Sequence, residues 1–274
     1  MESMLQNPAL QSGLFPFVAS LAVVLALSAI GGLRTGLGVA AGLAVLITLA
    51  VGFQLMPLTS TRKIIIVALA AFPVGLLLQL WTPPRRIMVT LLATVGAALA
   101  AWLLWPVLSR RALGEALLLG VPLAAFGAWV TAAMANQSHD SRRALGGGVA
   151  LAFGVGLSAL LGASALLGQI GLAIGSALAA PALVQLIRGG VTAGYFVTIP
   201  VALISALLGV AAHVYAKVPW TALAALALVP VLVAVPWPRT LPDRLGFVLI
   251  TLTAFLPSAL AWYLTWRSAG GVPL

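Results

Sequence analysis

Apolar residues run along this chain in blocks of about twenty, and polar positions are confined to short gaps between the blocks. A helix rises 1.5 Å per residue, so about 20 apolar residues are needed to cross the hydrocarbon of a bilayer. About ten blocks approach that length: residues 14–33, 36–56, 64–81, 87–108, 113–135, 144–167, 169–187, 191–215, 220–235 and 245–266. The pattern predicts an all-α fold, a polytopic integral membrane helix bundle of about ten transmembrane helices with short loops. It is read as a single transmembrane domain over residues 1–274.

The gaps have physical causes. Thr82-Pro83-Pro84-Arg85-Arg86 cannot continue a helix and carries two charges. Pro236-Trp237-Pro238-Arg239 and Pro242-Asp243-Arg244 act in the same way before the last block. Asn136-Gln137-Ser138-His139-Asp140-Ser141 is the longest fully polar stretch, and Asp140 or Ser141 is suited to cap the helix that follows. One gap is not visible as polarity. Residues 144–187 carry no charge, and as one helix they would run about 66 Å, twice the hydrocarbon thickness. The chain must fold back there. Gly168-Gln169 is the expected hinge of a tight hairpin, with a re-entrant pair as the alternative.

Trp81, Trp105, Trp220, Trp237 and Trp266 fall at the expected ends of spans, where an indole suits the headgroup layer. Small residues recur every fourth position in the sixth span (Gly146, Ala150, Gly154, Ser158, Gly162), the fifth (Gly120, Ala124, Ala128, Ala132) and the seventh (Gly171, Gly175, Ala179). Such stripes let helix backbones approach closely in lipid, so spans five to seven are expected to form the packed centre. Pro73, Pro122, Pro181, Pro200, Pro230 and Pro257 lie inside spans. Each removes one backbone hydrogen bond and permits a kink, as in transporter helices and in ordinary membrane bundles alike.

Composition agrees with the pattern: 62% of residues are hydrophobic and 7% charged, with a mean hydropathy of +1.18. The net charge of +10 comes from isolated basic pairs between spans, such as Arg62-Lys63 and Arg142-Arg143, not from a continuous basic face. That distribution points to the lipid bilayer and its anionic headgroups, and away from nucleic acid. Cysteine is absent, which excludes disulfides, thiolate catalysis and Cys-ligated metals. Glu2 precedes the first span and no Lys or Arg does, so that span is read as retained and not as a cleaved signal. With ten spans, eight basic residues fall on one side and six on the side of the termini. The bias places both termini on the non-cytoplasmic side.

Ionisable and strongly polar groups near spans are the candidates for function, because their burial is costly. Glu115 is the one acid inside an expected span, four residues after Arg111, where the helix N-terminus favours its charge. It is either a satisfied interfacial carboxylate or a group responsive to protons or cations. His213 lies near the end of the eighth span, as an interfacial imidazole or a substrate contact. Gln185 and Arg188 share a helix face, and with Gln54, Gln79, Gln169 and Tyr195 they either line a modest polar cavity or are mostly interfacial. Arg34 sits in the Gly-rich run Gly31–Gly38, which is either a tight turn or an anion or lipid-headgroup site. No metal set is present: there is no H-E-x-x-H, and the two histidines are far apart in sequence without an acid cluster. Nor do paired carboxylates or a complete G-x-S-x-G occur, so no enzyme chemistry and no cofactor is implied. Two roles remain. One is a transporter or permease for a small or lipid-like solute. The other is a non-catalytic membrane subunit, packing against partner membrane proteins, lipids or copies of itself.

Overall fold

A computed structural model describes residues 7–27, 33–52, 56–81, 84–238 and 241–271. Its ten helical segments are α1 (Leu10–Ala26), α2 (Leu33–Leu49), α3 (Ser60–Trp81), α4 (Arg85–Leu108), α5 (Leu113–Ala135), α6 (Ser141–Leu161), α7 (Ala165–Ile187), α8 (Tyr195–Tyr215), α9 (Trp220–Val233) and α10 (Asp243–Ser268). Among the described residues there is no strand. Seven helices, α3 to α8 and α10, are long and apolar enough to cross a membrane. The other three are shorter, within 10–17 residues, so seven crossings and not ten have the full length. α1 opens with a π-helical turn, Leu10–Leu14, and α2 ends in another, Ile47–Val51.

The charge-free stretch does fold back, but earlier in the chain than Gly168-Gln169. α6 ends at Leu161, and Gly162-Ala163-Ser164 makes the turn with Ala163 at φ 78°. The Ser164 N–H bonds the Ala159 carbonyl at 3.0 Å and the Ala163 N–H bonds that of Leu160 at 3.1 Å, closing the end of α6. Gly168 is needed inside α7 instead, where a Cβ would lie 2.9 Å from the Leu160 Cβ of the facing helix.

The centre also differs from the expected one. The most apolar window of α8 is 100% buried, against 78% in α6, 67% in α7 and 44% in α5. α8 is packed by α3, α4, α5, α6 and α7, whereas α5 lies largely on the outside. The small ladder of α6 meets α10, not α5 or α7. A Cβ on Gly146 would touch Thr251 Oγ1 at 2.6 Å, and one on Gly154 would touch Ser258 Oγ at the same distance. Ser258 Oγ donates to the Ala150 carbonyl at 2.8 Å and Trp262 Nε1 to that of Gly154 at 3.0 Å, so α10 is tied along the ladder. α7 uses the other face of α6, where a Cβ on Gly156 would stand 2.6 Å from the backbone nitrogen of Leu172. A third crossing of this kind joins α4 to α5, where a Cβ on Gly96 would meet the Gly127 carbonyl at 2.5 Å and one on Gly127 the Gly96 carbonyl at 2.8 Å.

Helices run through Pro73, Pro122, Pro181, Pro200 and Pro257, and Pro106 belongs with them, whereas Pro230 follows an interruption of α9 at Leu228. A proline leaves the carbonyl four residues earlier without its N–H donor. Two of these carbonyls are satisfied from neighbouring helices. Pro181 frees Ala177, whose oxygen accepts from Ser20 Oγ of α1 at 2.7 Å. Pro106 frees Trp102, whose oxygen accepts from Lys63 Nζ of α3 at 2.7 Å, with the ammonium 4.7 Å from the Trp102 ring centroid. That double contact explains how Lys63, 5% exposed, is held inside a spanning helix.

Two outcomes test this packing. Gly154→Leu is expected to lower stability by about 1–3 kcal/mol through overpacking, whereas Gly114→Leu, with open space around it, leaves melting unchanged. Ser20→Ala is expected to cost about 1–2 kcal/mol. Most of that loss disappears when Ser20→Ala is combined with Pro181→Ala, because the backbone N–H restored by the second substitution closes the Ala177 carbonyl. Additive losses in a double-mutant cycle, read by thermal melting in detergent, would contradict the pairing.

Candidate functional site

The starts of α4, α6, α8 and α10 and the ends of α3, α5, α7 and α9 meet at one end of the bundle, here the Asp140 end. The opposite end carries the start of α5 and is the Glu115 end. At the Asp140 end, α7 stops at Ile187 and α8 starts at Tyr195, and the chain between them is not helical. Gly189 and Gly190 take φ 70° and 68°, a region open to glycine and strained for other residues.

Backbone N–H groups released by that break are collected by three side chains from three helices. Gln185 Oε1 accepts from Val191 at 2.8 Å, Ser141 Oγ from Ala193 at 2.9 Å, and Gln79 Oε1 from Phe196 at 3.0 Å. The last is an N-terminal cap for α8 supplied from α3. Gly194 stands against the same amide, since a Cβ there would approach Gln79 Oε1 to 2.8 Å.

Under this strap lies an open cavity of about 310 Å³, lined by Gln79, Ser138, His139, Ser141, Thr192, Ala193, Gly194 and Tyr195. The His139 and Tyr195 rings meet edge to face, 5.8 Å apart. Ser138 is 7% exposed and its hydroxyl has no hydrogen-bond partner among the described residues. A buried hydroxyl without a partner is costly, and this one is sealed within the wall. The amide nitrogen of Gln79 also makes no hydrogen bond among the described residues, and Gln79 lines the cavity, so it is a donor on the wall.

A second cleft of about 460 Å³ adjoins the first and shares His139, Ser141 and Thr192 with it. Its charges are already paired. Asp140 caps α6 by accepting from the Arg142 and Arg143 N–H groups at 3.0 and 3.5 Å. It also forms ion pairs with the guanidinium Nε of Arg142 at 3.5 Å and of Arg143 at 3.4 Å. Arg142 reaches Asp243 at 3.1 Å, joining the starts of α6 and α10. Arg143 donates to the Ala234 and Val235 carbonyls at 3.3 and 3.4 Å, just past the end of α9. Among the described residues no cluster of three His, Asp or Glu side chains is present to hold a metal.

The structure therefore brings together Gln79, Gln185, Arg188 and Tyr195 at one end. Gln79 and Tyr195 line the cavity, Gln185 lines the adjoining cleft, and Arg188 is exposed just before the glycine pair. Arg34 lies in the first turn of α2, half-buried, and lines neither; Gly31, Gly32 and Gln54 fall outside the described residues. Glu115 and His213 are not part of this site. Glu115 is exposed in the first turn of α5 at the Glu115 end. His213 Nδ1 bonds the Val218 carbonyl at 2.7 Å, and since a carbonyl only accepts, that nitrogen carries the proton. Its ring packs 3.9 Å from that of Trp220, fixing the α8–α9 turn in which Lys217 has φ 55°.

Sequence reasoning missed Ser138, Ser141, Thr192 and Gly194 as lining groups. The polar run 136–141 signalled a loop, but its partner, 189–194, looked like an apolar span entry.

Gln79→Leu and Gln185→Leu are each expected to cost about 1–2 kcal/mol, because a backbone N–H loses its acceptor. Hydrogen exchange over residues 191–196 should accelerate in both variants while α10 is unaffected; unchanged exchange would show that other groups hold the strap.

Comparison of the chain with family models, with curated proteins and with solved structures returned no match.

Proposed function

We propose that this protein is a permease for a small uncharged, hydrogen-bonding solute, which enters through the cavity at the Asp140 end. One observation carries the reading: a cavity whose lining includes Gln79, Ser141 and Thr192, with the Gln79 amide nitrogen left without a hydrogen bond among the described residues, in an otherwise apolar bundle. The volume, about 310 Å³, is at the lower end of the range of small-molecule sites, about 300–1,000 Å³. The walls offer hydroxyls and amides, and the nearby guanidinium and carboxylate groups of Arg142, Arg143, Asp140 and Asp243 are bound to one another or to backbone carbonyls. None of those charged groups lines the cavity, so a charged solute would meet no opposite charge on its wall, whereas a neutral one can bond Gln79 and Thr192.

Below the cavity α8 is closed in by apolar neighbours, so passage requires α8 to move against α3. Backbone contact is close there, since a Cβ on Gly75 would lie 2.8 Å from the Tyr195 carbonyl. Pro73 and Pro200 lie within these same two helices, where a missing backbone bond eases bending. The Asp140 end, with the larger share of basic residues, is placed in the cytoplasm and both termini on the other side.

Proteoliposomes test the permease reading by stopped-flow light scattering with urea, glycerol and myo-inositol as neutral probes, and glycine and phosphate as charged ones. Faster entry of at least one neutral probe than in protein-free vesicles is expected, and Thr192→Trp should abolish it without lowering the melting temperature. Rates equal to protein-free vesicles for every neutral probe would overturn the proposal and leave the subunit reading.

A further inference from the structure

A second concavity lies at the opposite end, between α4 and α5, with a volume of about 470 Å³. Its floor is made of small residues, Ala116, Gly120 and Ala124, and Trp105, Leu117 and Val121 stand along it. It owes its depth to that small-residue stripe. Along the stripe α5 meets α4 through the Leu108 side chain beside Gly120; the close backbone crossing of the two helices is made by Gly96 and Gly127 instead. Small residues away from that crossing leave an open furrow between the helices.

Three features of the furrow agree with one occupant. The first is length. From Leu113 to Ala124 it runs about 16 Å along α5, close to half of the roughly 30 Å hydrocarbon, which is one leaflet. The second is polarity along that length. The deep part is apolar, and the mouth carries Arg111 and Ser109, with the Trp105 ring at the depth where indoles meet headgroups. The third is charge. Arg110 and Arg111 are exposed and form no ion pair among the described residues, and the first N–H groups of α5 add a partial positive charge. Glu115 opposes them with one negative charge, but it neither lines the furrow nor pairs with either arginine.

We infer that this furrow is a binding site for an anionic phospholipid, with an acyl chain between α4 and α5 and the phosphate against Arg111. The inference does not depend on the permease reading, because it involves neither the cavity nor the Asp140 end.

The experiment measures retention of phosphatidylglycerol against phosphatidylcholine by the full chain, using native mass spectrometry from mixed detergent–lipid micelles. Wild type should retain phosphatidylglycerol preferentially. Arg111→Gln should lower that preference about fivefold, the scale of one basic residue near an anionic headgroup. Gly120→Leu should lower retention of both lipids by filling the floor; a Cβ there meets only the movable end of Leu108, at 3.1 Å, so the fold is kept. Arg267→Gln, at the same end but outside the furrow, should change nothing. Three results would overturn the inference: equal retention in Arg111→Gln and wild type, an equal loss in Arg267→Gln, or glycerol 3-phosphate binding as tightly as the lipid. A dimer that forms through α4 and α5 and excludes phosphatidylglycerol would overturn it as well.

Discussion

Inside hydrocarbon there is no water to complete a broken helix, so each backbone group released by a proline or a chain break needs a protein partner. That requirement accounts for several of the long-range polar contacts in this bundle. Ser20 closes the carbonyl freed by Pro181, and Lys63 the one freed by Pro106. Trp129 Nε1 donates at 2.8 Å to the Ala227 carbonyl, next to the interruption of α9 at Leu228. Gln79, Ser141 and Gln185 serve the break before α8. Several of the polar side chains within the bundle are therefore placed where the helices are incomplete, while Ser258 and Trp262 serve the contact of α10 with unbroken α6. Two of them, Gln79 and Ser141, then also form the wall of the cavity. Scaffold and site are made from the same hydrogen bonds.

Much of the architecture was legible from one-dimensional pattern. The fifth block, 113–135, coincides with α5, and the blocks at 64–81 and 87–108 match α3 and α4 at their C-terminal limits. Asp140 caps α6 as its residue type suggested. Relations between helices were much less legible. Every span is apolar on all sides, so periodicity does not show which helix is enclosed, and α8 was not distinguished from its neighbours. The α6 ladder announced a close contact but not its partner, because glycine fits α7 and α10 equally well and only the fold chooses. The hairpin was misplaced because both 162–164 and 168–169 contain a glycine. The one at 168 is required for contact with Leu160 and the one at 162 for close approach to the Ala216 carbonyl, while the positive φ of the turn falls on Ala163.

The candidate site was legible by half. Gln79, Gln185 and Arg188 stood out because polar groups are rare in spans, and all three lie at the Asp140 end. The glutamine carbonyls are engaged by backbone, a use that one-dimensional pattern does not reveal, while the amide nitrogen of Gln79 remains toward the cavity. Ser138 and Thr192 were overlooked because hydroxyl residues in loops are commonplace. Among the described residues Ser138 shares burial without a partner with Thr35, Thr131, Ser158 and Ser205, and what sets it apart is its place on the cavity lining, which depends on contacts remote in sequence. Lys63 was read as part of an interfacial basic pair, since nothing local tells that Trp102 and Pro106 lie across from it.

The full enclosure of α8 has a consequence for how freely this chain can change its residues over time. A helix such as α4, with only 33% of its spanning window buried, can exchange one apolar side chain for another on its lipid face with little effect. α8 has no such face. Each side chain from Tyr195 to Ala212 fills a space bounded by other helices, so a change in volume at one position demands a matching change on a neighbour. The stretch with the least distinctive composition is thus the one with the least freedom to drift, and divergent versions of this bundle would differ first in α4, α5 and α10.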